Sequence, residues 1–444
     1  MAQLLKSPTE KVLATEPMLT LTDAIAIIVG IVIGAGIFET PALVAANSGS
    51  SSIVILTWLM GGIISLIGAL CYAELATTYP HVGGNYEYLK RAFGQNIAFL
   101  FAWARMTVIQ TGSIALLAFV FGDYASQLLS FGSFSTSIYA VIAIVLLTSF
   151  NILGVRQGKQ IQNWLTVITL LGLVTIIVLG LLFAAPTQPA QPTVASSNWG
   201  SAMLFVLLSY GGWNEAAYIS AEIQHPRRNI ARSLLWSIGI ITALYLLINV
   251  AYLRGLGVSG MAQSSAIAAD LMRQALGEPG AVLMSVLIAI TALGSLNASI
   301  FTGARANYAF SQDVPLFSFL GRWRTRSRTP MTGFLVQGAI TLLLILLGTF
   351  TRNGFEAMVN YTAPVFWLFF LLSGISLLIL RIREPDRLRP FRVPFYPATP
   401  LVFCAVCGYL LYSSLVYTGI SAVAGVIVVA LGVPFLYWSR SIRS

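Results

Sequence analysis

LTDAIAIIVGIVIGAGIFETPALVAA, Leu21 to Ala46, opens as an apolar helix and then stops reading like one. The Ile/Val/Ala run to Ile33 is long enough to cross about half of a bilayer. Gly34, Ala35 and Gly36 follow, then a Phe, a Glu and Pro41. Helix propensity cannot be the purpose of the glycines, since each costs roughly 1 kcal/mol against Ala in a helix. In lipid, unwound backbone is tolerated only where protein or a watery cavity takes up its freed N–H and C=O groups. One reading is a broken helix lining a binding cavity, its second half offering free N–H groups to a carboxylate. The other is an unbroken Gly-rich helix that lets a neighbour pack closely.

The surroundings of this stretch are membrane-like throughout. Of the 444 residues, 57% are hydrophobic and 9% charged, with a mean hydropathy of +0.83. Such a chain reads as an all-α polytopic membrane protein rather than a soluble core. A spanning helix needs about 20 largely apolar residues. Segments of that kind fall at 20–46, 53–77, 97–121, 135–154, 161–184, 199–222, 232–253, 280–306, 331–350, 358–380, 397–417 and 420–439, which predicts twelve transmembrane helices. Residues 1–18 are polar and mixed in charge, a short cytoplasmic tail without the apolar core of a signal peptide.

The net charge of +10 raises the question of a nucleic-acid partner, and its placement answers it. With the N-terminus inside, all but five of the 25 Lys and Arg fall in cytoplasmic loops or helix ends. The exceptions are Arg254, Arg273 and Arg352 outside, and Arg105 and Arg305 within the third and eighth segments. That bias follows the positive-inside rule. It puts both termini in the cytoplasm, makes the bilayer the partner, and leaves no need for nucleic acid. Cys404 and Cys407 share a face of an apolar segment and, like Cys71, read as small packing residues rather than redox or metal ligands.

A second interruption lies at the head of the sixth segment. MLFVLLSYGGWNEAAYISAEI, Met203 to Ile223, breaks at Ser209-Tyr210-Gly211-Gly212 and resumes through Glu222 into the basic turn QHPRRN. Ala35 to Glu39 aligns with Gly211 to Glu215. Each break falls in the first segment of a block of five, and five is odd, so the two blocks must run in opposite orientation. Gly-interrupted segments in corresponding positions of two halves point to a transporter site at a repeat interface. The expected division is a tail to residue 18, repeats at 19–198 and 199–390, and two further helices in 391–444. Arg105, about two turns into the membrane, would be costly unpaired. Glu74, at similar depth on the second segment, is its expected partner. Ser295, Asn297, Ser299 and Thr302 give the eighth segment a polar side that suits either interhelical hydrogen bonding or a cavity wall.

With GAGIF at 34–38, YGGWN at 210–214 and HPRRN at 225–229, the chain resembles the amino acid–polyamine–organocation transporters. Within them it looks most like the L-type amino acid transporter branch and its bacterial relatives. The likeness covers the first ten segments well and the last two loosely. It implies the five-plus-five inverted-repeat fold of the leucine transporter. It also implies that a substrate α-carboxylate meets N–H groups of Gly34, Ala35 and Gly36. The α-amino group would then meet carbonyls of Val32, Leu208 and Gly211. Trp213 and Asn214 would border the side-chain pocket. Where relatives often place an aromatic gate this chain has Leu208, which leaves Tyr210 or Trp213 to close the site. Many sodium-independent relatives carry a lysine in the fifth helix, and Thr169 stands there instead. Glu39 departs from the uncharged residues usual at its position.

Two other classes fit less well. An embedded enzyme would need a nucleophile, base or metal set within the helices, and both histidines, His81 and His225, fall in cytoplasmic loops. No metal or cofactor motif is present. A channel would show a filter loop or a ring of like charge. The expectation is a secondary transporter in the cell membrane for neutral amino acids. Glu39 and Glu215 keep a cationic amino acid or polyamine as the alternative. Coupling is expected to be proton-linked or by exchange; Glu39 and Glu215, each three residues after a break, are the candidates to titrate, and Glu215 is favoured because it lies next to Asn214 at the pocket. Sodium is the competing ion, with Ser295, Ser299 and carbonyls of the first segment as its oxygen ligands.

Overall fold

A computed structural model describes residues 19–81, 83–153, 159–183, 198–215, 223–321, 329–351, 353–417 and 419–441. The expected N-terminal tail, the linker after Phe183, the second half of segment six with Glu222, and the basic run from Arg322 to Arg328 lie outside them. The described residues are helical almost throughout. Their one isolated pairing of extended backbone joins Leu19 to Ile223. Nine helices among them are long and apolar enough to cross a membrane, and three shorter apolar helices accompany these.

The first apolar segment is divided. A capping box starts α1 (Leu21–Val32): Asp23 N–H donates to Thr20 Oγ1 at 3.2 Å and Thr20 N–H to Asp23 Oδ2 at 3.0 Å. A 3-10 turn, Ala35–Phe38, follows. Pro41 in its first turn starts α2 (Thr40–Ser48), and a left-handed Gly49 ends it. Next come α3 (Ser51–Thr78) and the short amphipathic α4 (Asn85–Phe93), bounded by positive-φ Gly84 and Gly94. It buries Tyr88, Leu89 and Ala92 and leaves Lys90 and Arg91 exposed. Then follow α5 (Gln95–Ala104), α6 (Gln110–Leu128), α7 (Ser135–Leu153), α8 (Lys159–Leu182) and α9 (Trp199–Ser209). The long α10 (Pro226–Gln263) bends at Gly257, where φ is 65°. A ten-residue helix, α11 (Ile267–Leu276), stands in what the sequence reads as an outer loop. The chain continues as α12 (Glu278–Asp313), α13 (Met331–Thr349), α14 (Gly354–Arg383), α15 (Ala398–Tyr417), α16 (Gly419–Ala430) and α17 (Gly432–Ser441).

Burial is reversed relative to a soluble bundle. On α13, Gln337 and Thr341 are 1% and 0% exposed, whereas Leu343 and Leu347 are 61% and 57% exposed. On α8, Thr169 is buried while Leu171 and Leu182 lie outside. Apolar side chains out and polar ones in is the pattern of a helix facing lipid. Glycines let the helices close on one another inside. A Cβ on Gly62 would meet Thr242 of α10 at 2.5 Å, and one on Gly68 would meet Trp213 at 2.8 Å.

The expected Glu74–Arg105 pair does not form. Glu74, 1% exposed, receives Arg381 Nε at 2.7 Å and the Val393 N–H at 2.6 Å, with Arg389 Nε at 3.5 Å. Arg381 also lies over the Tyr396 ring at 3.8 Å. One carboxylate thus clasps the end of α3 to the end of α14 and to the segment leading into α15. Depth along a helix sets which charges are level. Which helices are neighbours decides which of them meet.

Candidate functional site

The two interruptions lie against each other. The α1 break begins where Gly34 N–H turns back to Val32 O at 2.8 Å. In the other, Gly211 N–H returns to Leu208 O at 2.9 Å, and Trp213–Glu215 forms a short 3-10 turn. Tyr245 of α10 joins them. Its buried hydroxyl is 3.0 Å from both Val32 O and Ser209 O, so a single O–H bridges the two breaks, adding to the Gly34 N–H already on Val32 O. A second tie runs from Thr40 Oγ1, 2.9 Å from Gly36 O, to Ser209 Oγ at 2.5 Å.

The four glycines of the breaks divide into two kinds. Gly212 has φ of 106°, which only glycine adopts freely. A Cβ on Gly211 would stand 2.8 Å from Leu208 O. Both are needed to build the backbone. Gly34 is in extended backbone with φ of −94°, and its Cβ would meet nothing nearer than Ile31 O at 3.9 Å. Gly36 sits inside a right-handed turn, and its Cβ would meet Ser209 Oγ at 3.7 Å. Neither conformation nor packing asks for glycine at 34 or 36. At both, a first side-chain carbon would sit at ordinary contact distance.

The other expected site residues are distributed around this centre. Tyr210 is buried against α3, its O–H donating to Trp58 O at 3.0 Å and its ring packed on Trp58 and Tyr245. It is therefore a wall behind the break. Trp213 is wedged edge-on between Tyr72 of α3 and Phe370 of α14, with ring centroids 5.1 and 5.7 Å away. Asn214 is buried, and Leu208 is half-buried. Thr169 Oγ1 donates to Leu165 O at 2.9 Å and lies 3.3 Å from Thr291 Oγ1, joining α8 to α12. On the polar side of α12, Asn297 accepts from Asn151 of α7 at 2.6 Å. Ser299 O receives Gln110 Nε2 at 2.9 Å, and Ser295 is half-buried. Of its side chains Asn297 joins another helix, while the Thr302 hydroxyl returns to Ala298 O of its own at 3.0 Å.

Arg105 finds a different carboxylate. A π-turn, Arg105–Ile109, interrupts the run from α5 to α6 and closes with Gln110 N–H on Arg105 O. From it Arg105 Nη2 reaches Glu215 Oε2 at 3.6 Å. The pair is partly exposed, with side chains 21% and 37% accessible. Glu39, at the corresponding place after the α1 break, is buried near Asp123 of α6.

Sequence reasoning passed over Tyr245, Ser209 and Asp123. A tyrosine, a serine and an aspartate on apolar helices carry no signal of which neighbour they meet. Tyr245→Phe is expected to lower stability by about 1–3 kcal/mol, because two buried carbonyls lose their shared donor. Its thermal midpoint should fall below that of Tyr252→Phe, whose buried hydroxyl has no hydrogen-bond partner. Equal midpoints would argue against the bridge.

A helix interrupted at Gly34 and a second that stops at Ser209, tied to each other inside helices whose outer faces are apolar, define a polytopic membrane protein with backbone rather than reactive side chains at its centre. Known proteins of that class match it. An amino acid permease profile covers residues 19–437. The human large neutral amino acids transporter small subunit 2 is 30% identical over 438 residues, 95% of this chain and 80% of that one. The serine/threonine exchanger SteT of Bacillus subtilis (strain 168) is 28% identical over 426 residues, 93% and 94% of the two chains. The human cystine/glutamate transporter is 28% identical over 439 residues, 96% and 86%. The chain belongs to the amino acid permease family, within the amino acid–polyamine–organocation superfamily. These relatives are transporters, not enzymes.

Proposed function

We propose that this protein is a secondary active transporter, a permease or exchanger, that carries neutral amino acids across a cell membrane by alternating access. The observation that carries this reading is that neither φ nor packing requires glycine at 34 and 36, beside N–H groups left without an acceptor. The N–H groups of Ala35 and Gly36 are the first two of a 3-10 turn and have no acceptor within it. An α-carboxylate approaching the side-chain-free backbone takes them up. Gly34 contributes room rather than a donor, since its N–H already serves Val32 O. The α-ammonium lies toward the carbonyls of Val32, Leu208 and Gly211, with Trp213 and Asn214 bordering the side chain.

A neutral substrate is favoured over a cationic amino acid or a polyamine because Glu215 already faces a cation in Arg105. The names of the relatives, for large neutral amino acids and for serine/threonine exchange, support it. In this reading the chain crosses the membrane twelve times, with two inverted repeats of five helices and both termini in the cytoplasm. Coupling is to protons or by exchange, with the carboxylates after the two breaks, Glu39 and Glu215, as its candidate groups.

Purified protein is first warmed with single amino acids and polyamines, since a ligand of the folded state raises its thermal midpoint. Uptake of the stabilising compound into proteoliposomes is then measured. Saturable uptake with counterflow by unlabelled L-leucine or L-serine is the expected result. Stabilisation by putrescine or L-arginine alone would replace the substrate class. Flux that neither saturates nor shows counterflow would replace the carrier by a channel.

A further inference from the structure

Glu39 stands between the 3-10 turn and α2, and it is 9% exposed. Its Oε1 is buried without a hydrogen-bond partner. The end of α6 lies against the same corner: the Tyr124 O–H donates to Phe38 O at 2.8 Å, so Asp123 and Glu39 are the chain neighbours of the two ends of one hydrogen bond. Asp123 is half-buried and accepts a hydrogen bond from Thr136 Oγ1 of α7 at 2.8 Å.

The other groups around them do not supply a counter-charge. Tyr124 from α6 and Tyr252 from α10 are uncharged phenols, and the Tyr252 O–H is itself buried and unpartnered. Asp270 of α11, the helix that touches Tyr124 through Ala268 N–H, is already paired with Arg273. Between Trp199 and Ser209, α9 carries no titratable side chain, and neither does α12 between Pro279 and Arg305. Among the described residues no Lys or Arg comes within 4 Å of either carboxylate.

An ionised carboxylate out of water without a partner is costly, and two sharing one site cannot both be charged cheaply. One proton between them removes both costs. We propose that Glu39 and Asp123 together bind one transported proton, and that this pair, rather than Glu215, is the protonation site of the transport cycle. The inference rests on the transporter reading above. The proton enters from water at the membrane face where α6 ends, through half-buried Asp123. It returns to water when the cavity opens to the opposite face, so only O–H bonds are made and broken. The link to substrate is short. Glu39 N–H donates to Gly36 O at 3.1 Å, the carbonyl that also receives the Thr40 hydroxyl. Protonation therefore acts one turn from Gly36 and the N–H groups of the proposed cradle.

The test compares two readouts in proteoliposomes with L-leucine and L-serine as probes: accumulation driven by an imposed pH gradient, and counterflow at equal pH. Wild type is expected to accumulate probe when the side of Asp123 is acid. In Glu39→Gln and in Asp123→Asn, gradient-driven accumulation is expected to be lost relative to counterflow in the same vesicles. Counterflow with gradient-driven accumulation that survives in both variants overturns the proton site and leaves the transporter reading standing. So does loss of gradient dependence in Glu215→Gln with Glu39→Gln unaffected. Absence of counterflow by wild type overturns both. Should either variant fail to reconstitute, wild type in weakly buffered detergent is mixed with probe beside a pH-indicating dye. Proton uptake on binding supports the site, and no proton movement between pH 5 and 8 overturns it.

Discussion

Gly36→Val is expected to abolish amino acid uptake while the protein still inserts and folds. The turn is right-handed there, and a first side-chain carbon would meet its nearest neighbour, Ser209 Oγ, at 3.7 Å. That is ordinary contact, so the backbone accepts a first side-chain carbon there. In the proposed cradle a β-branched residue stands over the Ala35 and Gly36 N–H groups and stiffens the turn. Gly212→Ala is the contrast. At φ of 106° an alanine costs about 1–2 kcal/mol in backbone alone, and Ile31 Cγ2 stands 3.0 Å from the new methyl. Its thermal midpoint should fall, whereas that of Gly36→Val should move little. Wild-type substrate affinity in Gly36→Val would remove the cradle.

The largest loss of stability is expected at Glu74. Glu74→Gln leaves Arg381 and Arg389 without their common anion at a nearly closed site, and removing one partner of such a pair costs about 3–5 kcal/mol. Yield and thermal midpoint in detergent should both drop. Adding Arg381→Met should recover part of the loss, because replacing a buried pair costs less than breaking it. Recovery should be partial, since Arg389 and the Val393 N–H still face the glutamine. Arg105→Met in the same background should recover nothing, as Arg105 faces Glu215. Strictly additive losses for Glu74→Gln and Arg381→Met would reject the clasp.

Much of the architecture was readable in the residues because lipid imposes a simple code. Apolar runs marked α3, α7 and α13 nearly to their ends, and paired glycines marked both breaks. The code is one-dimensional, and it failed where lateral position decides. Glu74 and Arg105 are at similar depth, but Arg381, more than three hundred residues after Glu74, stands beside it. α11 was missed because ten residues with five buried apolar positions are too short to register as a span. The glycines looked alike in the sequence. Only φ and the nearest atom separate Gly211 and Gly212, which build the backbone, from Gly34 and Gly36, which leave space. Tyr210 and Trp213, the two aromatics named to close the site, show the same limit: their identity was plain and their direction was not.

A bond from residue 110 back to 105 accommodates one residue more than an α-helical turn. The π-turn at Arg105–Ile109 therefore takes up a residue within a single turn and leaves α5 in phase with α6. Take out one residue, Val108 for instance, and the run closes as an ordinary α-helix with both halves facing as before. What goes is the local widening from which Arg105 reaches Glu215. The reach is thus written in one surplus residue, and a homologue without it would keep the helix and lose the bulge.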